Sequence, residues 1–575
     1  MNALPLNRES QVAFRHAAES WLAQDPDPET RAELESLLAQ AGDINKPGVT
    51  LQDADDSPGA RAWRELRDRF GTRLSFGTAG LRGRQAAGSN RMNRVTVAQA
   101  ARGLADYLVS RGGSPSVVIG YDARINSDVY ARDTAELMMA AGVKATLLPR
   151  PLPTPVLAFA VRWLGTSAGI MVTASHNPKW DNGYKVYLGD EDQGSQIVPP
   201  ADKEIATAIA NVANTMKVPD LPRSQDYETA PESLVAAYIT ETAKVFQAPV
   251  VPLKVAYTPL HGVGRDTFRA VLEKAGVPLP EIVKEQADPD GTFPTVDFPN
   301  PEEPGALDLA YATGDATGAS LILAHDPDAD RLAVAVRVAE GWRLFGGNEI
   351  GRMLGWRAAK AAAASGQLDG TLATSLVSSP ALSKIAERYG LGYAETQTGF
   401  KWISRAPGII YGYEEALGYL VNTDTVRDKD GVSAALAILE LAMLEAAKGR
   451  TLDDLDNAFT EEFGAYESRQ VALRYESVDV LPKVMAGLRA KFPEQVGDVA
   501  VATAHDLETD PQPANIIRLE LADDTRIMIR PSGTEPKIKV YIDANSISGT
   551  VAERKASAAS RADAAASAMR AMLTQ

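Results

Sequence analysis

Asp326, Asp328 and Asp330 stand two residues apart in the run Asp326-Pro327-Asp328-Ala329-Asp330-Arg331. Carboxylates at this density repel one another, so a cation is expected among them. All-oxygen ligation suits Mg²⁺ or Ca²⁺. Period two along an extended segment predicts that the three side chains share one side of it. The run is not an EF-hand loop, because Arg331 stands where that loop needs glycine and Arg337 where it needs glutamate. Three carboxylates leave room for a further ligand such as a phosphate oxygen. Arg331 can fork onto a carboxylate or a phosphate.

Three other segments carry chemistry-bearing residues. Ser175 and His176 lie in Thr173-Ala174-Ser175-His176-Asn177-Pro178, with Lys185 just beyond the turn expected at Asp181-Asn182-Gly183. Glu414 and Glu415 precede Ala416-Leu417-Gly418-Tyr419, and adjacent carboxylates there can accept bonds from sugar hydroxyls. In Arg530-Pro531-Ser532-Gly533-Thr534-Glu535-Pro536-Lys537, an arginine, two hydroxyls, a glycine and a lysine read as a phosphate cradle. Arg82 belongs to a glycine-rich stretch, Phe76-Gly77-Thr78-Ala79-Gly80-Leu81-Arg82-Gly83, whose tight turns can approach an anion. Each segment also has a plain structural reading: a turn serine, a solvated helix start, a hairpin. The case for chemistry rests on their occurring together. No Gly-Lys pair occurs, so the chain has no P-loop.

The elements that must hold these residues alternate between strand and helix. Residues 168–173 are apolar and β-branched and read as a buried strand. Pro178 stops that ladder, which leaves Ser175 on a loop at a carboxyl strand end, where open α/β sheets bind ligands. Strands over 116–120 and 144–148 and helices over 129–141 and 156–164 surround it. A second unit places strands at 254–258, 281–285 and 320–324, the last delivering the aspartates. A third sets strands at 371–376 and 409–413 and helices at 348–363, 380–389 and 432–447. From about residue 465 strands and helices follow a different, α+β pattern. Residues 7–41 read as two helices. The second has Asp27 as N-cap, Pro28 at its first position and Gly42 as stop. The proline-rich run 218–223 reads as a linker. The expected organisation is an N-terminal helical extension over 1–59 and domains over 60–223, 224–342, 343–464 and 465–575. The fold class is α/β: three similar mixed α/β domains and a C-terminal α+β domain.

Composition excludes several classes. A chain of 575 residues is too long for one core. The absence of cysteine removes disulfides, thiolate metal sites and thiol nucleophiles. A net charge of −16 disfavours nucleic acid and anionic membranes as partners. Residues 1–16 are polar and charged where a signal peptide needs an apolar core, and no apolar run is long enough to span a bilayer. The expectation is a cytoplasmic protein.

With these four segments in this order, the chain resembles the α-D-phosphohexomutase family, the phosphoglucomutases and phosphomannomutases, from about residue 60 onward. The resemblance implies a heart-shaped, four-domain isomerase. Its fourth domain would close over a cleft holding a small-molecule phosphosugar, in a monomer or homodimer. It further implies that Ser175 carries a phosphoryl group and that Mg²⁺ is bound by this group with Asp326, Asp328 and Asp330. A sugar 1,6-bisphosphate would serve as activator and intermediate. Lys401, in Thr398-Gly399-Phe400-Lys401-Trp402, is expected as general base, Lys185 and Arg82 as phosphate clamps, and His176 near the reacting centre. Arg331, Glu414, Glu415, Arg530, Ser532, Gly533, Thr534 and Lys537 are expected to bind substrate. Arg124, in Gly120-Tyr121-Asp122-Ala123-Arg124, reads as structural. Leu417 and Tyr419 depart from the serine and histidine that many members carry. The sugar loop and Thr-Gly-Phe-Lys-Trp are more similar to the branch of phosphopentomutases and a glucose 1,6-bisphosphate synthase. The expected activity is interconversion of glucose or mannose 1- and 6-phosphates; the alternative is a phosphopentomutase.

Overall fold

The computed structural model describes residues 8–42, 56–532 and 536–574. It divides into two units. The first comprises Met1–Phe246, Lys254–Ala333 and Asp424–Leu436, the second Gln247–Leu253, Val334–Thr423 and Ala437–Gln575.

In the first unit, Ser116–Tyr121 is the middle of a seven-stranded sheet. It pairs in parallel with Lys144–Leu147 on one side and Ala168–Val172 on the other. Ala168–Val172 is buried along its whole length, as its unbroken apolar run requires of a strand covered on both faces. Helices Arg94–Ser110, Ser127–Ala140 and Thr154–Leu164 pack on this sheet. Asp181–Leu188 returns antiparallel to Ala168–Val172, with Met171 opposite Lys185. The sequence places a turn at 181–183, but these residues are strand. Arg82 pairs with Gly183 and Arg84 with Asp181. Only glycine fits there, since a Cβ on Gly183 would come within 2.5 Å of the Thr173 carbonyl oxygen.

A second parallel set, Glu281–Ile282, Val255–Thr258 and Leu321–His325, delivers the acidic loop from the end of its last strand. The strand expected over 281–285 is only two residues long, because the chain turns into a 3₁₀ segment at Lys284–Gln286. The helix Pro28–Ala41 begins and ends as its sequence demands. Asp27 accepts the Glu29 N–H at 2.9 Å and Gly42 takes φ +72°. The run 218–223 does not hang free, for Val218 and Leu221 are buried in the core of these N-terminal helices.

In the second unit, Thr371–Ser375 pairs in parallel with Gly392–Thr396 and Ile409–Glu414, and Gly418–Leu420 closes the edge antiparallel. A six-stranded antiparallel sheet follows, centred on Ile517–Leu521 and Arg526–Pro531. The C-terminal helix Val551–Leu573 covers one face of it with Ala558, Ala562, Ala565, Met569 and Leu573, a three-to-four-residue spacing. No helix among the described residues is long and apolar enough to cross a membrane.

One buried cap makes stability depend on pH. Asp430 accepts the N–H groups of Val432 and Ser433, each at 3.0 Å, at the start of the helix Gly431–Ala446, and the Tyr238 hydroxyl donates to it at 3.0 Å. Burial lifts its carboxyl from an ordinary value of about 3.9 to about 6. The folded state therefore holds this proton more tightly than the unfolded chain. The protonated form's stability is fully present below about pH 4 and is lost as pH rises through about 6. In Asp430→Asn the amide oxygen keeps the cap without a charge. The variant's unfolding free energy relative to wild type should rise by on the order of 3 kcal/mol between pH 4 and 7. Denaturant titrations across that range measure it, and a flat difference would refute the assignment.

Candidate active site

Asp326, Asp328 and Asp330 are each fully buried, and each offers a carboxylate oxygen within 4.8 Å of the others. They do not alternate along an extended segment, as the sequence suggests. The loop is a turn: the Ala329 N–H donates to the Asp326 carbonyl at 2.9 Å, and Ala329 takes φ +53°. The Arg331 N–H donates to Asp326 Oδ1 at 3.0 Å and pins the far end. Convergence comes from this fold-back.

The two oxygens of the inner aspartates are used unequally. Lys185 Nζ donates to Asp328 Oδ2 at 2.7 Å and Asp330 Oδ2 at 2.9 Å, and Thr154 Oγ1 donates to Asp328 Oδ2. Oδ1 of Asp328 and Oδ1 of Asp330 are buried and accept no hydrogen bond among the described residues. Two orphaned anionic oxygens in a dry interior are costly unless a cation takes them. The donor set, all carboxylate oxygen, fits a hard divalent ion. Lysine and metal need not compete, because each uses a different oxygen.

Charge at the site is tightly managed. Burial, with the neighbouring Asp328 and Asp330, holds Asp326 well above the usual carboxylate range. Burial also acts upward on Asp330, but Lys185, Lys429 and Arg331 outweigh it and hold that carboxyl low. Lys429 Nζ lies 3.3 Å from Asp330 Oδ2, and Arg331 Nε 3.7 Å from Asp330 Oδ1. Burial pushes the Lys185 ammonium down, yet Asp328 and Asp330 reverse this and keep it charged. That suits an electrostatic clamp and not a base.

Ser175 points into this cluster. Its Oγ donates to Asp326 Oδ2 at 2.8 Å and lies 3.2 Å from His176 Nδ1. It is buried and its backbone is left-handed, φ +53°. Burial, then Arg331 and Arg82, hold the His176 imidazolium well below its ordinary pKa, so the ring is neutral. Arg82 reaches the same loop, with Nη1 donating to Asn177 Oδ1 at 3.1 Å. The first unit thus brings together Ser175, His176, Lys185, Arg82, Arg331 and the three aspartates. Thr154 and Lys429 join them and were not read from the sequence. Lys429 had a signal, the alternating charges of Arg427-Asp428-Lys429-Asp430, but only the fold brings it to Asp330.

The second unit holds the remaining expected residues. Glu415 Oε2 accepts from Ser375 Oγ at 3.2 Å and Ser378 Oγ at 3.0 Å, which fixes its carboxylate at the strand end. Burial pushes the Tyr541 phenol up, Glu415 and Glu414 add to this, and Arg530 opposes it. Glu414, Glu415 and Arg530 therefore act around one hydroxyl. The Ser532 N–H donates to the Lys537 carbonyl at 2.9 Å, at the facing ends of the strands that flank the phosphate-cradle residues. Gly533 and Thr534 lie outside the described residues. Lys401 is on the short helix Phe400–Ile403 and half-buried. Leu417 is buried with φ +61°, and Tyr419 is fully buried.

Models of the phosphoglucomutase/phosphomannomutase alpha/beta/alpha domains I, II and III match residues 73–216, 236–340 and 347–463, and that of the C-terminal domain matches 485–559. A Haemophilus influenzae protein named probable phosphomannomutase is 53% identical over 455 residues, spanning 79% of this chain and 93% of that protein. A Pongo abelii phosphopentomutase is 36% identical over 565 residues, spanning 89% and 91%. The crystal structure of a phosphoglucomutase/phosphomannomutase family protein from Burkholderia thailandensis superposes with a TM-score of 0.64 at 21% identity, covering 86% of this chain and 97% of that one, and so shares its fold.

The orphaned oxygens make the metal site testable without any assay of turnover. Mg²⁺ or Mn²⁺ should raise the unfolding temperature of the wild type, by the equivalent of about 2.7 kcal/mol at a hundredfold excess over Kd. Asp328→Asn should lose most of that shift. Equal shifts in both proteins would place the ion elsewhere.

Proposed function

The chain belongs to the phosphoglucomutase and phosphomannomutase family, and we infer that this phosphosugar mutase interconverts the 1- and 6-phosphates of glucose or mannose through a phosphoserine at Ser175. One observation carries the reading: Ser175 Oγ lies 2.8 Å from Asp326 of the acidic cluster. A nucleophilic oxygen held at a divalent-cation site is what reversible phosphoryl transfer needs.

In the proposed cycle, the free hydroxyl oxygen of a sugar 1-phosphate attacks the phosphorus on Ser175. A new O–P bond forms, the P–Oγ bond breaks and the hydroxyl proton passes to a base. The resulting 1,6-bisphosphate reorients and returns its other phosphoryl group to Ser175. Mg²⁺ held by Asp326, Asp328 and Asp330 would supply charge neutralisation for the transferring oxygens. Lys185, kept as an ammonium, and Arg82 and Arg331 hold the phosphoryl group from the protein side. His176 presents a neutral ring beside Oγ. Glu414 and Glu415 bind sugar hydroxyls, and Arg530, Ser532, Gly533, Thr534 and Lys537 bind the distal phosphate. A trace of sugar 1,6-bisphosphate primes the enzyme.

Lys401 is our candidate for the base. Lys429, buried 3.3 Å from Asp330 in the same unit as Ser175, is a counter-charge to that carboxylate and serves as the control. Replacing the true base by methionine should cut kcat by about 10²–10⁴-fold and remove one limb of its pH profile, with KM changed less. The other lysine's variant should keep that limb.

A pentose reading rests on Leu417 and Tyr419, which remove a hydroxyl and an imidazole from the sugar loop, and on a phosphopentomutase and a probable phosphoribomutase among the relatives. With Mg²⁺ and a trace of bisphosphate, α-glucose 1-phosphate or mannose 1-phosphate should turn over, and Ser175→Ala should lose about 10³-fold or more. Robust ribose 1-phosphate turnover beside negligible hexose turnover would replace the hexose reading with the pentose one. Undiminished turnover in Ser175→Ala would sink the phosphoserine mechanism.

A further inference from the structure

Arg124 is one of the most completely enclosed charges in the first unit, and its side chain has no exposed surface. It follows the strand Ser116–Tyr121, and its guanidinium reaches into the loop that bears Ser175. Nη2 donates to the carbonyl oxygens of Ser175 and Asn177, each at 2.6 Å, and Nη1 to those of Pro178 at 2.8 Å and Asp181 at 3.1 Å. Four carbonyls within seven residues turn inward onto one cation.

The other main-chain group of Ser175 is held by the same short segment. The Ser175 N–H donates to Thr173 Oγ1 at 2.9 Å, and the Thr173 hydroxyl donates to Asp122 Oδ2 at 2.6 Å. Asp122 also accepts from Ser127 Oγ at 2.7 Å and from the Arg124 N–H at 3.0 Å. Asp122 and Arg124, two residues apart, thus take Ser175 by its N–H, through one hydroxyl, and by its C=O directly.

This grip explains the backbone of the nucleophile. A serine at φ +53° is in the left-handed region that L-residues avoid. Such a conformation persists only where its surroundings over-determine it. Here it turns Oγ towards Asp326. The grip is also kept dry. Phe293 lies against the guanidinium, ring centroid to Cζ 5.0 Å. Gly291 lies so close that a Cβ on it would meet the Ala123 carbonyl oxygen at 2.6 Å and Arg124 Cα at 2.8 Å. Hydrogen bonds from a desolvated guanidinium are strong and geometrically exacting.

We propose that Arg124, acting with Asp122 through Thr173, is a positioning residue for phosphoryl transfer: it holds Ser175 in the left-handed conformation that aims Oγ at the acidic loop. It touches neither sugar nor phosphate in this role. The proposal rests on the phosphoserine reading given above. Lysine cannot replace arginine here, because one ammonium cannot serve four carbonyls from two nitrogens in a plane.

The test uses the full-length chain with Mg²⁺, a sugar 1-phosphate and saturating 1,6-bisphosphate. Arg124→Lys and Thr173→Val are compared with wild type and Ser175→Ala. Three quantities are read: kcat and KM, phosphate on Ser175 by intact mass, and the unfolding temperature. Arg124→Lys is expected to lower kcat at least 100-fold and Thr173→Val about 10-fold, with KM within threefold of wild type. Phosphate should load on Ser175 correspondingly slowly. If Arg124→Lys fails to fold, Thr173→Val decides, since it removes one oxygen from the grip and leaves the charge in place. Wild-type kcat in either folded variant, or a rise in KM with kcat unchanged, overturns the proposal while leaving the phosphoserine intact. Wild type that never loads phosphate, with Ser175→Ala fully active, overturns the underlying reading and the proposal together.

Discussion

Three aspartates within 4.8 Å of one another in a dry interior are the constraint that the first unit is built around. Left alone they would take up protons or push the loop apart, since burial and mutual repulsion both disfavour the charged forms. Each neighbour answers that problem. Lys185 arrives on a strand antiparallel to the one that leads to Ser175, so its ammonium reaches Asp328 and Asp330 without a long, floppy connection. Lys429 comes from a segment 99 residues further along the chain and meets Asp330 at the same Oδ2 that Lys185 uses. Arg331, the next residue after the triad, uses its main-chain N–H to close the turn and its guanidinium to neutralise it. Ser175 and Thr154 are the neutral donors in this group, and in the proposed cycle Ser175 is the one whose oxygen changes its covalent state.

The scaffold puts precision where that chemistry sits. The Ser175 loop and the acidic loop both leave the carboxyl ends of buried parallel strands, Ala168–Val172 and Leu321–His325. The sheet fixes where each loop begins, and the turn within the loop aims its side chains. Where the loops must turn sharply, the chain accepts left-handed backbone at Ser175 and Ala329. These conformations cost about 1–2 kcal/mol each, an amount that a few charge-assisted hydrogen bonds offset.

The sequence showed what was local and missed what was brought together by folding. The acidic run, the caps of the helix Pro28–Ala41 and the buried strand before Ser175 each depend on residues within one element, and each is read from spacing and residue type. The aspartates' convergence was expected for the wrong reason: periodicity two assumes an extended chain, whereas hydrogen bonds within the loop make a turn. Residues 181–183 looked like a turn because Asp-Asn-Gly favours one. Their pairing with residues 82–84 wins because it satisfies main-chain groups that a turn would leave to water. Lys429 and Thr154 were illegible because a lysine between two aspartates, or a threonine between prolines, has an ordinary structural reading until a distant loop meets it. Arg124 was read as structural, and its contacts are structural in kind; what the sequence could not show is which main chain they hold.

The charges of the acidic cluster bear on the order in which ligands enter. Lys185, Lys429 and Arg331 offset the charge of the acidic cluster at contact range, so this part of the site carries no large excess of either sign. A divalent cation alone would add two positive charges to a buried region, and a dianionic phosphoryl group alone would add two negative ones. Either is opposed by desolvation without a partner. Together they would cancel, and the Oδ1 atoms of Asp328 and Asp330, which accept no hydrogen bond, would hold the cation. Metal and phosphoryl group should therefore strengthen each other's binding, as linkage between two sites requires to be reciprocal. The same balance explains why the lysines sit on Oδ2 and leave Oδ1 open. The protein supplies enough positive charge to keep the aspartates together and Asp330 ionised, but not so much that a metal would have no anion to bind.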